Sequence, residues 1–223
     1  MFLVYIIINF LILSLIFIYY FKKITDFSMY TVKKLDTSKI NSGDTLIVSY
    51  NHKTKYAVFN SFIKSKFVHP SIAVRENGKL YLIEYNEYFD KYKGLIKIPY
   101  EEWIKFNKNA KIYINHFQNN KSKELDKKII NWYRENLEDI TKKINYMDYS
   151  WFRFINPLNK KYKNTKNNPN ITCCEIICEI LCETGIVKKN KSIQHYRPDS
   201  FVDMKDFSLE EDYNISESYL LDI

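Results

Sequence analysis

The sequence predicts an α+β domain preceded by one membrane-crossing helix, and three observations predict it. Residues 2–21 form a twenty-residue run without charge, in which only Asn9 and Ser14 are clearly polar. Short β-rich stretches follow, separated by turn residues. Helical spacing then dominates the second half, so strands come before helices around a small antiparallel sheet.

An uncharged run of this length spans the hydrocarbon of a bilayer as a helix. A cleaved signal peptide fits worse, because no basic segment precedes the run, the run is too long and no small-residue cleavage site follows. Lys22, Lys23, Lys33, Lys34 and Lys39 all lie after it, so the positive-inside bias puts the C-terminal part on the cytosolic side. The expected organisation is an anchor at 1–22, a juxtamembrane connector at 23–42 and one domain at 43–223. A chain beginning near Lys34 is expected to fold.

Along the domain, Gly43-Asp44 opens a β-rich run at 45–49. Residues 67–75 and 79–85 flank Glu76-Asn77-Gly78, a two-residue hairpin signal. Residues 100–106 suit one or two helical turns, and 111–115 alternate as a strand. Leu125, Ile129, Trp132, Tyr133, Leu137, Ile140 and Ile144 recur at helical spacing over 122–144. Residues 156–170 form a polar loop rich in Lys and Asn. Thr172 with Glu175 has the form of a capping box, and Gly185 supplies the stop of the helix that carries Cys173, Cys174, Cys178 and Cys182.

Charge and cysteines bound the function. The net charge of +8 comes mainly from lysine, with only Arg75, Arg134, Arg153 and Arg197 as arginines. No basic-aromatic module points to nucleic acid, whereas lysines beside an anchor suit anionic lipid head groups. Cys174, Cys178 and Cys182 repeat every fourth residue on one helix, a poor arrangement for disulfides and consistent with a reduced compartment. No C-x-x-C or neighbouring His completes a zinc set, and no cofactor is expected.

A thiol in the first turn of a helix sits near unpaired N–H groups and the positive dipole end, both of which favour thiolate. The bland alternative is a buried cysteine used as a small hydrophobe. A tight turn at Asn77-Gly78 sets Glu76 opposite Lys79 and makes His69 and Glu84 diagonal neighbours, about 7–8 Å apart at the backbone. A carboxylate there can orient one imidazole nitrogen and leave the other for the thiol. Pro70 threatens the ladder at that point. His52, His116 and His195 are the alternative bases, His116 closing a strand with no visible partner. Glu175, Glu179 and Glu183 mark the expected solvent face of the cysteine helix.

Gly43-Asp44 with its strand, Phe67-Val-His69, Asn77-Gly78-Lys79-Leu-Tyr-Leu-Ile-Glu84, Cys173-Cys174-Glu175-Ile176 and Tyr196-Arg197-Pro198-Asp199-Ser200-Phe201 occur in an order that resembles the circularly permuted papain-like enzymes of the NlpC type, in the YiiX-like branch. The resemblance spans residues 43–207. It implies a permuted papain-like domain with Cys173 as nucleophile, His69 as base and Glu84 as orienting residue, while helical geometry alone leaves Cys174 as the alternative nucleophile. The implied activity is that of a cysteine hydrolase or acyltransferase on an amide, ester or thioester bond; the anchor and the lysines after it favour a lipid or lipid-modified protein as substrate, with a cell-wall peptide as the alternative for the opposite topology. The rival reading is a non-catalytic, membrane-anchored scaffold that retains the fold.

Overall fold

The computed structural model describes residues 2–34, 36–50, 65–89, 92–118, 122–142, 171–191, 193 and 196–222. A long helix α1 (Phe2–Thr25) leads into strand β1 (Val32–Lys34). Then come β2 (Thr45–Ser49), β3 (His69–Glu76), β4 (Lys79–Phe89), β5 (Tyr92–Pro99), α2 (Tyr100–Phe106) and β6 (Lys111–Gln118). The helices α3 (Ser122–Lys142) and α4 (Cys173–Glu183) and the strand β7 (Asn214–Asp222) follow, with short 3-10 turns at Thr37–Lys39 and Pro198–Phe201. The domain is therefore mixed α+β.

The sheet is larger than a small antiparallel one, with seven strands in the order β1-β7-β6-β2-β3-β4-β5. Every neighbouring pair is antiparallel except the edge strand β1, which runs parallel to β7 through Val32 opposite Leu220. Thus part of the expected connector belongs to the sheet. Strands β5 and β7 carry no clean alternation: Lys93-Gly94 interrupts one, and Ser216-Glu217-Ser218 fills the first half of the other. Their pairing to β4 and β6 decides them instead.

The hairpin forms as its turn dictates. Asn77 and Gly78 both have positive φ, 52° and 78°, the pair that a two-residue primed turn requires. Rungs run from Glu76 opposite Lys79 to Ile72 opposite Ile83. Pro70 lies on the β2 side of the strand, opposite Ile47, and β3 keeps its extended path through His69 by pairing with β2.

Both faces of the sheet are covered, which is why β2 is buried at every position. One face packs Ile47, Ile72, Val74, Ile83 and Tyr113 against α3 and α4. The other packs Leu46, Val48, Leu82, Ile98 and Ile114 against Trp103 of α2. Within α3, Leu125, Ile129, Trp132 and Ile140 face the core as their spacing requires. Leu137 does not; it is exposed, and the adjacent Asn136 is buried with its amide donating to Trp132 O at 2.8 Å. Ile144 lies outside the described residues.

Helix α1 is long and apolar enough to cross a membrane, and its flank is uncovered: Tyr5, Phe10 and Leu13 are 69%, 70% and 65% exposed. Its foot is different. Ile24 is buried, and Phe27 and Tyr30 stack edge-on against Phe67 and Tyr113 of the domain.

Candidate active site

The position of Cys173 is built by helix capping. Thr172 is extended, its hydroxyl accepts from the Glu175 N–H at 3.2 Å, and the Glu175 carboxylate accepts from the Thr172 N–H at 2.8 Å. This closed capping box fixes where the helix starts, so Cys173 is its first residue. At the other end Gly185, with φ 78°, lets the Ile186 and Gly185 N–H groups bond Leu181 O and Cys182 O. Those two bonds terminate α4 in a Schellman motif.

The histidine and the carboxylate come from β3 and β4. His69 Nε2 lies 3.3 Å from Glu84 Oε2, with both side chains largely buried. This is an ion-pair contact not aligned as a hydrogen bond, and Nε2 has no hydrogen-bond partner among the described residues. The same Glu84 oxygen accepts from Trp103 Nε1 at 2.7 Å, which pins it in place. His69 and Glu84 stand on the sheet face that α2 covers, whereas Cys173 comes from α4 on the opposite face. They meet where β3 begins, with Cys173 Sγ 3.8 Å from Val68 O. The His69 ring and the Cys173 sulfur lie near enough that each shifts the other's ionisation toward the charged form. With Nε2 turned to Glu84, Nδ1 is the nitrogen left for the sulfur.

The electrostatics separate the two adjacent thiols. Cys173 is brought below an ordinary thiol chiefly because the Cys174 thiol donates to its sulfur; burial opposes this, and His69 and the Cys174 N–H add to it. Burial and the neighbouring Cys173 push Cys174 well above a free thiol. Burial likewise raises Cys178. For His69, burial works against the charged ring, yet the attraction of Glu84 and the Cys173 sulfur outweighs it, and the ring titrates well above its ordinary value. The arrangement can hold a thiolate–imidazolium pair with a carboxylate beside the ring, and a first-turn N–H of the kind a helix cannot satisfy internally lies beside the sulfur.

Two expectations need correction. Glu175 and Glu179 do not mark a solvent face; they are 3% and 2% exposed, because α4 is enclosed on all sides through Cys182. Glu175 is held by the capping box, and only Glu183 reaches solvent, pairing with Lys189 at 2.6 Å. His116 is also not without a partner. Its Nδ1 lies 2.6 Å from Asp44 Oδ2 and its Nε2 3.0 Å from Tyr219 OH, all three side chains buried. Asp44 further accepts from the N–H groups of Asn41 and Phe117 at 2.9 Å each, so the cluster ties the Gly43-Asp44 turn to β6 and β7. His52 and His195 lie outside the described residues.

Trp103 is the site residue that sequence reasoning missed. Only its place three residues after Tyr100 on a short apolar helix face hinted at burial, and nothing linked it to Glu84. Compared with known proteins, the chain matches no family model, and no curated protein matches it.

Proposed function

We propose that this chain is a membrane-anchored cysteine hydrolase or acyltransferase of the permuted papain-like type, acting on an amide, ester or thioester through an acyl-enzyme on Cys173. The observation that carries this reading is the convergence of three residues from separate elements: a first-turn cysteine with a depressed pKa, a histidine whose charge favours its thiolate, and a buried glutamate 3.3 Å from a ring nitrogen of that histidine. A cysteine used only for packing has no need of either partner.

In this mechanism the Cys173 thiolate attacks the carbonyl carbon, forming the S–C bond while the C=O π pair moves to oxygen. The Cys173 N–H donates to that oxyanion. On collapse the C–N, C–O or C–S bond of the leaving group breaks, and imidazolium His69 gives it a proton. Neutral His69 then takes a proton from water, or from another acceptor, which attacks the thioester and releases the acyl group. Glu84, held by Trp103, keeps the ring turned and stabilises its charge. The apolar flank of α1 supports anchoring in a bilayer, and the lysines after it support a cytosolic domain. Packing of Ile24 and Phe27 on the domain speaks for a retained helix rather than a removed leader.

The test is thiol labelling of the full chain at mildly acidic pH. Wild type is expected to react with iodoacetamide at Cys173, Cys173→Ala to lose the label while keeping its fold, and His69→Ala to react more slowly with a thiol-like pH profile. Label on Cys174 instead would move the site by one residue. No label at all would leave the non-catalytic scaffold as the better reading.

A further inference from the structure

The base of α1 forms a second site that thiol chemistry does not use. A run of about twenty apolar residues at 1.5 Å rise per residue covers about 30 Å, the hydrocarbon thickness of a bilayer. Residues Tyr19 to Lys23 therefore fall at the depth of the lipid head groups, with Tyr19 and Tyr20 in the aromatic belt and the Lys22 and Lys23 ammoniums beyond it. At that level a cavity of about 450 Å³ opens between α1 and the domain. Tyr20 and Lys23 of α1, Tyr30 and Lys66 of the domain, and Lys205 with Asp206 from the C-terminal segment wall it.

Lys66 is a cation fixed in place. Its ammonium donates to Asp26 O at 2.5 Å and lies over the rings of Tyr30 and Phe27, 5.1 and 5.7 Å from their centroids. Burial is the largest influence on it and disfavours its charge, against the attraction of Asp26 and Asp199, so its pKa falls below the usual lysine value. An ammonium already held in position loses little further freedom when an anion pairs with it. Asp199, also on the wall, is already engaged: it accepts from Ser65 Oγ at 2.6 Å and from the Lys66 N–H at 3.2 Å. Lys205 pairs with Asp203 at 3.2 Å, but it is mostly exposed, and an exposed pair of this kind is worth little and exchanges readily. Three ammoniums thus line a cavity in which one of the two carboxylates is occupied.

We propose that this cavity binds the phosphate of a membrane phospholipid from the leaflet on the domain's side, gripping it between Lys23, Lys66 and Lys205. The diester oxygens face the ammoniums, the tyrosine rings pack on the glycerol backbone, and the acyl chains run along the exposed flank of α1. The lipid ties the domain to the membrane plane at a second point. The site rests on α1 crossing the bilayer and is independent of whether Cys173 is catalytic.

Native mass spectrometry of the full chain from detergent micelles tests it, with the micelles doped with phosphatidylglycerol or with a diacylglycerol that lacks phosphate. The expected result is one retained phosphatidylglycerol and little diacylglycerol. Combined Lys23→Gln, Lys66→Gln and Lys205→Gln should lower the lipid-bound fraction about tenfold, equivalent to roughly 1.4 kcal/mol. Lys79→Gln, Lys105→Gln and Lys111→Gln, the same charge change elsewhere, should leave it unchanged. Should the combined variant unfold, Lys205→Gln alone, at an exposed position, is expected to cut retention about threefold. Equal retention of diacylglycerol, loss in the distant-lysine control, or no loss at Lys205 would overturn the proposal. Displacement of the lipid by inorganic phosphate would assign the cavity to free phosphate instead. Carbonate extraction of the same protein reads α1 separately, so a failed anchor and a failed cavity give different results.

Discussion

Cys173 owes its acidity to neighbours, since burial alone raises a thiol, and this gives its reactivity a defined pH window. Its pKa of about 5 and the raised pKa of His69 bracket the range in which thiolate and imidazolium coexist. Alkylation of Cys173 is expected to rise as pH passes about 5 from below and to stay on a plateau through neutral pH. A free cysteine would begin to react only near its ordinary pKa of about 8.5. Because the Cys174 thiol is the largest cause, Cys174→Ala should move the onset upward, whereas Cys174→Ser keeps a donor and should move it less. Glu84→Gln removes the charge that raises His69, so the imidazolium holds the thiolate less well and the onset of labelling should move upward. Trp103 is a positioning residue: Trp103→Phe keeps the ring but frees the carboxylate, and should slow labelling with little change in onset. A flat profile for wild type, with onset near that of free thiols, would contradict the ion pair.

At the scale of elements, the capping box sets both a helix end and the position of the proposed nucleophile. Thr172→Ala removes the Glu175 N–H acceptor and should cost about 1 kcal/mol in denaturant unfolding, with slower labelling of Cys173. The β6 cluster responds more strongly. His116→Ala leaves Asp44 buried against its N–H donors without its imidazole partner, and a loss of about 3–5 kcal/mol is expected. Gly43→Ala is strained as well, at φ 95° with a methyl group 2.9 Å from Leu125 Cδ2. These elements also divide what was legible in the sequence from what was not. The α4 cap, its glycine stop and the Asn77-Gly78 register are local chemistry, readable from a few adjacent residues. The pairing of His69 with Glu84 followed from that register. Trp103 behind Glu84, and Asp44 against His116, join residues 19 and 72 positions apart, and no periodicity encodes such contacts. The polar face expected on α4 failed for a related reason. Glutamates at every fourth position define a stripe, but only the tertiary packing decides whether water reaches it.

At the scale of the whole molecule, the anchor is expected to resist carbonate and high salt, with the domain open to protease in intact vesicles only from the cytosolic side; release by carbonate would remove the anchor reading. The segment after α1 makes a sharper prediction, because it is bound into the domain rather than linking to it. Phe27 meets Phe67 at 5.7 Å, Tyr30 meets Tyr113 at 5.2 Å, and the Leu220 N–H donates to Thr31 O at 2.8 Å before β1 pairs with β7. Each aromatic pair is worth about 0.5–1.5 kcal/mol beyond its burial, and each of these half-buried rings adds roughly half of the 1.5–3 kcal/mol of full burial. A chain beginning at Asp26 keeps these contacts and should be soluble and stable once the apolar run is gone. A chain beginning at Lys34 loses both rings and most of β1, exposes Phe67 and Tyr113, and should melt roughly 6–12 °C lower for a loss of about 3 kcal/mol. Two thermal unfolding curves decide it. If both truncations melt together, residues 26–33 are a passive tether after all, and the rigid seat of α1 on the domain, on which the juxtamembrane cavity depends, goes with them.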